Sequence, residues 1–186
     1  MALGVRALGL LLVLPGWAAA APHEGTAHAS SNGVWSIQLL ENGPEQCRVE
    51  ATRDADPAWS LERCVGTVDD LFFISNDGER VWVLRVLPKP PPPRPKQKGS
   101  KPAAPPPGEP YVRAVVATLF DKQGKVLSER TLGDFMKRRF DKLRDMDQHF
   151  VWLEGVVGVP GRRPRTTEGN QVEFETVEPK TYRLDF

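Results

Sequence analysis

Apolar side chains alternate with polar ones from Trp35 onward, and this period of two is typical of half-buried β-strands. In residues 35–39, tryptophan, isoleucine and leucine alternate with serine and glutamine. The same alternation recurs in residues 47–51, 172–174 and 182–186. The sequence therefore predicts a mainly β protein. We expect an antiparallel sandwich-like or partial propeller-like sheet with one short helix and one long proline-rich loop.

Local patterns predict a hairpin, a central strand and the helix. Residues 75–78 read Ser-Asn-Asp-Gly between two apolar runs, and Asp-Gly tolerates the positive φ of tight hairpin turns. The run 81–84 is apolar at every position, which indicates a strand covered on both faces. Asp134 is predicted to be the N-cap of the helix, because the apolar residues that follow it have helical spacing: Met136, Phe140 and Leu143.

The segment 88–110 interrupts the strand pattern and holds 11 of the 18 prolines, with five basic residues and one acid. Proline cannot donate to a sheet ladder, so we expect an extended, solvated polyproline II path. Its 23 residues would reach roughly 70 Å at about 3.1 Å each. Loop entropy grows slowly with length, so the strands on either side can still pair. We therefore predict a single β-rich domain over residues 34–186.

The N-terminus has the three parts of a secretory signal peptide: a positive charge at Arg6, a short apolar run and an alanine-rich cleavage site. We predict a signal peptide over residues 1–21 and a flexible lead-in over 22–33; an uncleaved membrane anchor is the alternative. Cleavage would leave 24 basic and 24 acidic residues, and such a neutral domain has no overall field to attract nucleic acid. The later sequence has no segment that predicts a transmembrane helix. We expect a periplasmic or secreted protein without a specific nucleic-acid partner.

The two cysteines, Cys47 and Cys64, are both in the predicted mature chain. Outside the cytoplasm an even pair usually forms a disulfide, which is our prediction. A reactive or metal-binding pair is the alternative, but it favours C-x-x-C spacing or neighbouring histidines, and the sequence has neither. We predict no metal and no cofactor.

Histidine chemistry offers one catalytic hypothesis. His149 follows Asp145 and Asp147, and a carboxylate can orient a histidine as a general base. A small extracytoplasmic hydrolase is therefore an alternative function. His23 and His28 are in the predicted lead-in, where a catalytic role is not expected. An ordinary surface role for His149 is favoured, so we predict no catalytic residue and a non-enzymatic protein.

Three features suggest binding. Arg162, Arg163 and Arg165 could contact an anionic cell-surface polymer, and Trp59 follows a turn where its ring could be exposed. Four consecutive prolines could dock in the aromatic groove of an envelope protein, although a bare spacer is the favoured interpretation: Pro90, Pro91, Pro92 and Pro93. The predicted function is an exported binding or envelope-associated module.

Two stretches resemble the blades of bacterial propeller-type repeats. Residues 75–82, SNDGERVW, resemble the hairpin of such blades, and residues 119–127, LFDKQGKVL, resemble a strand pair. Without its proline segment the chain has room for about three blades, fewer than a closed propeller needs. Overall the chain resembles the uncharacterised exported β-rich proteins of high-GC bacteria. Residues 182–186 also resemble the terminal strand of outer-membrane β-barrels, and a small barrel of this kind is a further alternative.

Overall fold

The computed structural model describes residues 23–25, 27–43, 46–89, 111–137, 140–147, 149–156 and 158–186. These residues form fifteen strands and one α-helix. In chain order they are β1 (His23–Glu24), β2 (His28–Ala29), β3 (Trp35–Glu41), β4 (Cys47–Arg53), β5 (Asp56–Leu61), β6 (Leu71–Ile74), β7 (Arg80–Leu84), β8 (Leu87–Pro88), β9 (Val115–Asp121), β10 (Val126–Thr131), α1 (Leu132–Phe135), β11 (Arg144–Asp145), β12 (His149–Val151), β13 (Arg165–Thr166), β14 (Gln171–Thr176) and β15 (Lys180–Asp185). The prediction of a mainly β protein with one short helix is confirmed.

The strands form four antiparallel sheets. Sheet A has the order β1-β3-β4-β5, with β2 also paired to β3, and sheet B has the order β10-β9-β7-β6. Two smaller sheets follow: sheet C, with the order β11-β12-β8, and sheet D, with the order β13-β14-β15. Strands β7 and β9 pair although the proline-rich segment separates them in sequence, as predicted. Residues 90–93 of that segment, and residues 1–21, lie outside the described residues.

Sheet B is the middle layer of the protein. Along β7, Val81 and Val83 belong to a core shared with sheet A, whereas Trp82 and Leu84 belong to a core shared with sheet D. Successive side chains of a strand point to opposite faces, so an apolar run is what a strand between two cores requires. The prediction of a central strand covered on both faces is confirmed, and the sandwich-like description fits the packed layers.

The hairpin between β6 and β7 also forms as predicted. Gly78 has φ +74°, and the amide of Gly78 donates to the Ser75 carbonyl over 3.0 Å. The Trp35 ring packs directly over this turn, so that a Cβ added to Gly78 would lie only 2.4 Å from the ring. Glycine is therefore required here by both the backbone conformation and the lack of space.

The helix differs from its prediction. Helix α1 is one turn long and begins before Asp134, with Thr131 as its N-cap. The Asp134 carboxylate accepts a hydrogen bond from the Thr131 amide over 2.7 Å, so Asp134 is the N3 residue of a capping box and not the N-cap. Met136 is buried but has an extended backbone, which ends the helix. Apolar spacing here reflects burial against the sheets and not a continuous helix.

The predicted lead-in, residues 22–33, also differs from its prediction. Residues 23–24 and 28–29 pair with β3, and Ser30 is buried. These two-residue strands are too short to show an alternating pattern in the sequence. Their extended conformation follows from pairing with the longer strand β3. The disulfide between Cys47 and Cys64 is confirmed, with 4.7 Å between the two Cα atoms.

Candidate ligand-binding cleft

Three sheets present one edge strand each to the same region of the protein. These inner edges are β2 of sheet A, β6 of sheet B and β13 of sheet D. The Thr166 hydroxyl of β13 donates to the Ala29 carbonyl of β2 over 3.3 Å, and the His28 and Phe73 ring centroids of β2 and β6 are 4.8 Å apart. Inner edges that meet in this way leave space between sheets that cannot pair with one another.

Asparagine side chains join the turns that follow these inner edges. The backbone amide of Asn32 donates to the side-chain oxygen of Asn76 over 3.1 Å. The backbone amide of Asn76 in turn donates to the side-chain oxygen of Asn170 over 2.8 Å. Asn170 has φ +56°, a conformation that asparagine tolerates better than most residues. The three turns are therefore tied together, and the spacing between the sheets is held by hydrogen bonds.

A cleft of about 540 Å³ opens among the inner edges, and we call it the central cleft. Its walls are His28 of β2, residues 68–71 before and within β6, and the described residues of the glycine-rich loop, 155–156 and 158–164. Valine, leucine and proline side chains supply the apolar part of the lining, and charged side chains supply the rest. The volume is within the range of about 300–1,000 Å³ that small-molecule sites occupy.

His28 lines the central cleft and is half-buried. Burial lowers the pKa of His28 below its usual value, and the positive charge of Arg163 lowers it further. The imidazole is therefore neutral at pH 7. Its Nε2 atom is buried and has no hydrogen-bond partner among the described residues. A neutral imidazole has one nitrogen that donates a hydrogen bond and one that accepts.

The glycine-rich loop carries Arg163 to the rim of the central cleft. The loop is folded tightly, since a Cβ on Gly155 would lie 2.5 Å from the backbone of Arg162 and Arg163. The amide of Gly155 donates to the Pro160 carbonyl over 3.2 Å, which closes the loop. The side chain of Arg163 is thus presented by a compact backbone, and its position sets a positive charge beside an apolar surface.

Two carboxylates line the opposite wall, and their environments differ. Asp70 is buried and accepts hydrogen bonds from the amides of Thr67 and Val86 over 2.8 and 2.9 Å. Burial raises the pKa of Asp70, although these hydrogen bonds and the nearby Arg85 oppose the rise. Asp69 is exposed. Asp70 therefore has a structural role, while Asp69 remains available to a ligand.

The catalytic hypothesis combines His149 with Asp145 or Asp147. His149 lines a second cavity of about 480 Å³, together with Asp69 and Asp70. Asp145 and Asp147 are not among the residues that line it. Asp145 forms an ion pair with Lys89 instead. The structure thus does not bring the predicted histidine and aspartates together in a pocket.

The predicted binding residues lie in different places. Arg163 is at the cleft, but Arg162 and Arg165 contact the carboxylate of Glu173 over 3.3 and 3.0 Å. Trp59 is in β5 and not in a loop, and its indole nitrogen donates to the Gly78 carbonyl over 2.9 Å. Trp59 is partly buried and packs against the core between sheets A and B. Its hydrogen bond to Gly78 supports the β6–β7 turn.

Sequence reasoning missed His28, Glu173 and Arg183 as site residues. His28 was placed in the flexible lead-in, because two-residue strands leave no periodic signal. Glu173 and Arg183 occupy polar positions in the alternation of the last two strands, and that alternation identified them as outward-facing. Their pairing across β14 and β15 was the available signal for an ion cluster.

Within the described ranges, no three histidine, cysteine or acidic side chains come close enough to hold a metal ion. The single α-helix described is four residues long, far below the roughly 20 apolar residues that a membrane-spanning helix needs. No known protein family, curated protein or solved structure matches the chain.

Proposed function

We propose that the protein is an exported, non-enzymatic binding module whose ligand occupies the central cleft. The observation that carries this proposal is the cleft itself, in which Arg163 stands beside an apolar lining from β6 and the loop that precedes β13. The predicted partners are an envelope protein or an anionic cell-surface polymer. The cleft favours a ligand with an anionic group next to an apolar one.

The lining supports binding over catalysis. The described residues of the central cleft include no serine, threonine or cysteine that could act as a nucleophile. Of the two carboxylates, Asp70 is already occupied by amide donors. The neutral His28 and the charged Arg163 remain as the groups that would orient a ligand, by hydrogen bonding and by charge respectively.

Export rests on the predicted signal peptide and is supported by the disulfide, because disulfides persist in oxidising compartments. Mass spectrometry of the protein purified from cell envelope or culture medium would test this. We expect an N-terminus that begins after Ala20 or Ala21. An intact N-terminus on protein recovered from the cytosol would contradict export.

Hexyl phosphate is a suitable probe of the cleft, since it joins an anionic group to a short alkyl chain. We expect saturable amide shifts in β2 and the loop 155–164 in NMR spectra of the mature protein, and weaker shifts with hexanol or inorganic phosphate alone. The variant Arg163→Gln should lose the response. Arg130→Gln is the matched control, because Arg130 is an exposed arginine on the distant edge strand β10. An unchanged response in Arg163→Gln would rule out the central cleft as the site.

A further inference from the structure

Three arginines surround a single carboxylate on the outer face of sheet D. Glu173 pairs with Arg165 on one neighbouring strand and with Arg183 on the other, and Arg162 approaches from the preceding loop. Val172 and Phe174, the neighbours of Glu173 along β14, point into the core, so Glu173 is on the opposite face. We call Glu173 and these three arginines the arginine cluster.

The carboxylate of the arginine cluster is fully engaged. Its Oε1 atom accepts from Arg165 over 3.0 Å and lies 3.3 Å from Arg162, while its Oε2 atom lies 2.7 Å from Arg183. Hydrogen bonds from Arg183 and then from Arg165 lower the pKa of Glu173, and the charges of Arg162 and Arg183 lower it further. The Glu173 side chain is only 5% exposed, because the three guanidinium groups cover it. Glu173 therefore remains ionised and holds all three arginines in position.

The charges of the cluster do not cancel. Three guanidinium groups and one carboxylate leave a net charge of +2. The arginine side chains are between 53% and 62% exposed, so their remaining N–H donors face solvent. Two acidic residues, Glu175 and Asp185, lie two positions beyond Glu173 and Arg183 along β14 and β15. The Glu175 carboxylate accepts a hydrogen bond from Thr181, and the Asp185 carboxylate accepts one from Gln171. Neither forms an ion pair with the arginine cluster in the described structure.

We propose that the arginine cluster is a binding site for a phosphate dianion, either free or as the monoester group of a larger molecule. The charge of the dianion balances the net positive charge of the arginine cluster, and a guanidinium group can donate two parallel hydrogen bonds to phosphate oxygens. Glu173 acts as a positioning residue, because arginines that are already ordered lose less conformational entropy on binding. The site lies outside the central cleft and goes beyond the proposed function.

Calorimetric titration of the mature protein at low ionic strength tests this proposal, with inorganic phosphate and glucose 6-phosphate as probes and chloride at equal ionic strength as the monoanion control. We expect saturable phosphate binding that Arg183→Gln weakens by about fivefold or more, the effect of losing one exposed charge pair of about 1 kcal/mol. Arg165→Gln should act similarly, and Arg130→Gln should have no effect. Tighter binding of glucose 6-phosphate would identify a monoester as the ligand, and equal binding would identify free phosphate.

Three outcomes would overturn the proposal: no saturable binding, displacement by chloride at equal ionic strength, or equal losses in Arg183→Gln and Arg130→Gln. A loss confined to Arg163→Gln would place the anion in the central cleft, so that this proposal fails while the proposed function stands. Thermal unfolding of each variant, measured alongside, identifies any loss of binding caused by unfolding. Arg165→Gln then provides a second test if Arg183→Gln does not fold.

Discussion

Removal of the disulfide should lower stability by an amount that the structure allows to be worked out. Cys47 begins β4 and Cys64 follows β5, and their positions in the sequence differ by 17. Closing a loop of this length removes about 10.5 cal/mol/K of entropy from the unfolded chain, or about 3 kcal/mol at 25 °C. Cys64 is exposed and Cys47 half-buried, so the double variant Cys47→Ala/Cys64→Ala loses little apolar burial. The free energy of unfolding should therefore fall by about 3 kcal/mol, mainly through the unfolded state.

Urea unfolding of the mature protein provides the assay. In thermal unfolding of a domain of this size, the same loss corresponds to a fall in Tm of about 6–12 °C. In urea, the free energy of unfolding should fall more steeply with urea concentration, because the unfolded chain without the disulfide exposes more surface. The wild-type protein with its disulfide reduced should lose the same stability without any change of residue. Ser60→Ala, an exposed change in β5, is the control and should stay within about 0.5 kcal/mol. Equal midpoints for the oxidised, reduced and doubly substituted proteins would refute the reasoning.

Other changes test the turn, the cleft histidine and the core. Gly78→Ala should cost about 2–4 kcal/mol in chemical denaturation, because its Cβ would meet Trp35 at a positive φ. Gly158→Ala, also at a positive φ but in open space, should cost only about 1 kcal/mol, and equal costs would contradict the packing argument. The lowered pKa of His28 means that below about pH 6.5 the unfolded state binds more protons than the folded state, so stability should fall as the pH falls towards 5.5. His28→Phe should reduce that slope in urea midpoints measured at several pH values, and an unchanged slope would assign it to other groups. Trp152→Ala removes a fully buried ring and should cost about 3–5 kcal/mol by urea unfolding; a cost below 1 kcal/mol would show that the site is not packed as described.

Much of the β architecture could be predicted because its signals are local. The alternation in β3 and β14 reports which side chains face a hydrophobic core, and the uninterrupted apolar run in β7 indicates two buried faces. Asp77 and Gly78 determine the hairpin turn through backbone conformation, which depends on neighbouring residues alone. The disulfide could be predicted because a chain with two cysteines has only one way to pair them within itself.

The elements that were predicted incorrectly depend on distant partners. Asp134 and Met136 have the composition of a helix start, but packing against the sheets stops α1 after one turn. Strand β2 forms only because β3 offers it a partner, and Trp59 is in a strand because β4 pairs with that segment. Short elements carry too few residues for a periodic signal, so their conformation is set by the chain that they contact.

The candidate sites show the same division. The sequence alone identified the arginines of residues 162–165 as basic and accessible, but could not assign their roles. The tertiary structure places Arg163 at the central cleft, directs Arg162 and Arg165 towards Glu173, and adds Arg183 from another strand. Charge is a property of a residue, whereas charge balance depends on which residues the strand register brings together.

By itself, the sequence determined the strand-forming segments, the central place of β7, the hairpin turn at Gly78 and the disulfide pairing, because each depends on side-chain periodicity, backbone conformation or a count of cysteines. Only the tertiary structure decided that β2, β6 and the loop before β13 line one cleft and that three arginines share one carboxylate. The physical reason is that both features join residues far apart in the chain. Their proximity follows from packing sheet B between two cores, and no local pattern encodes it.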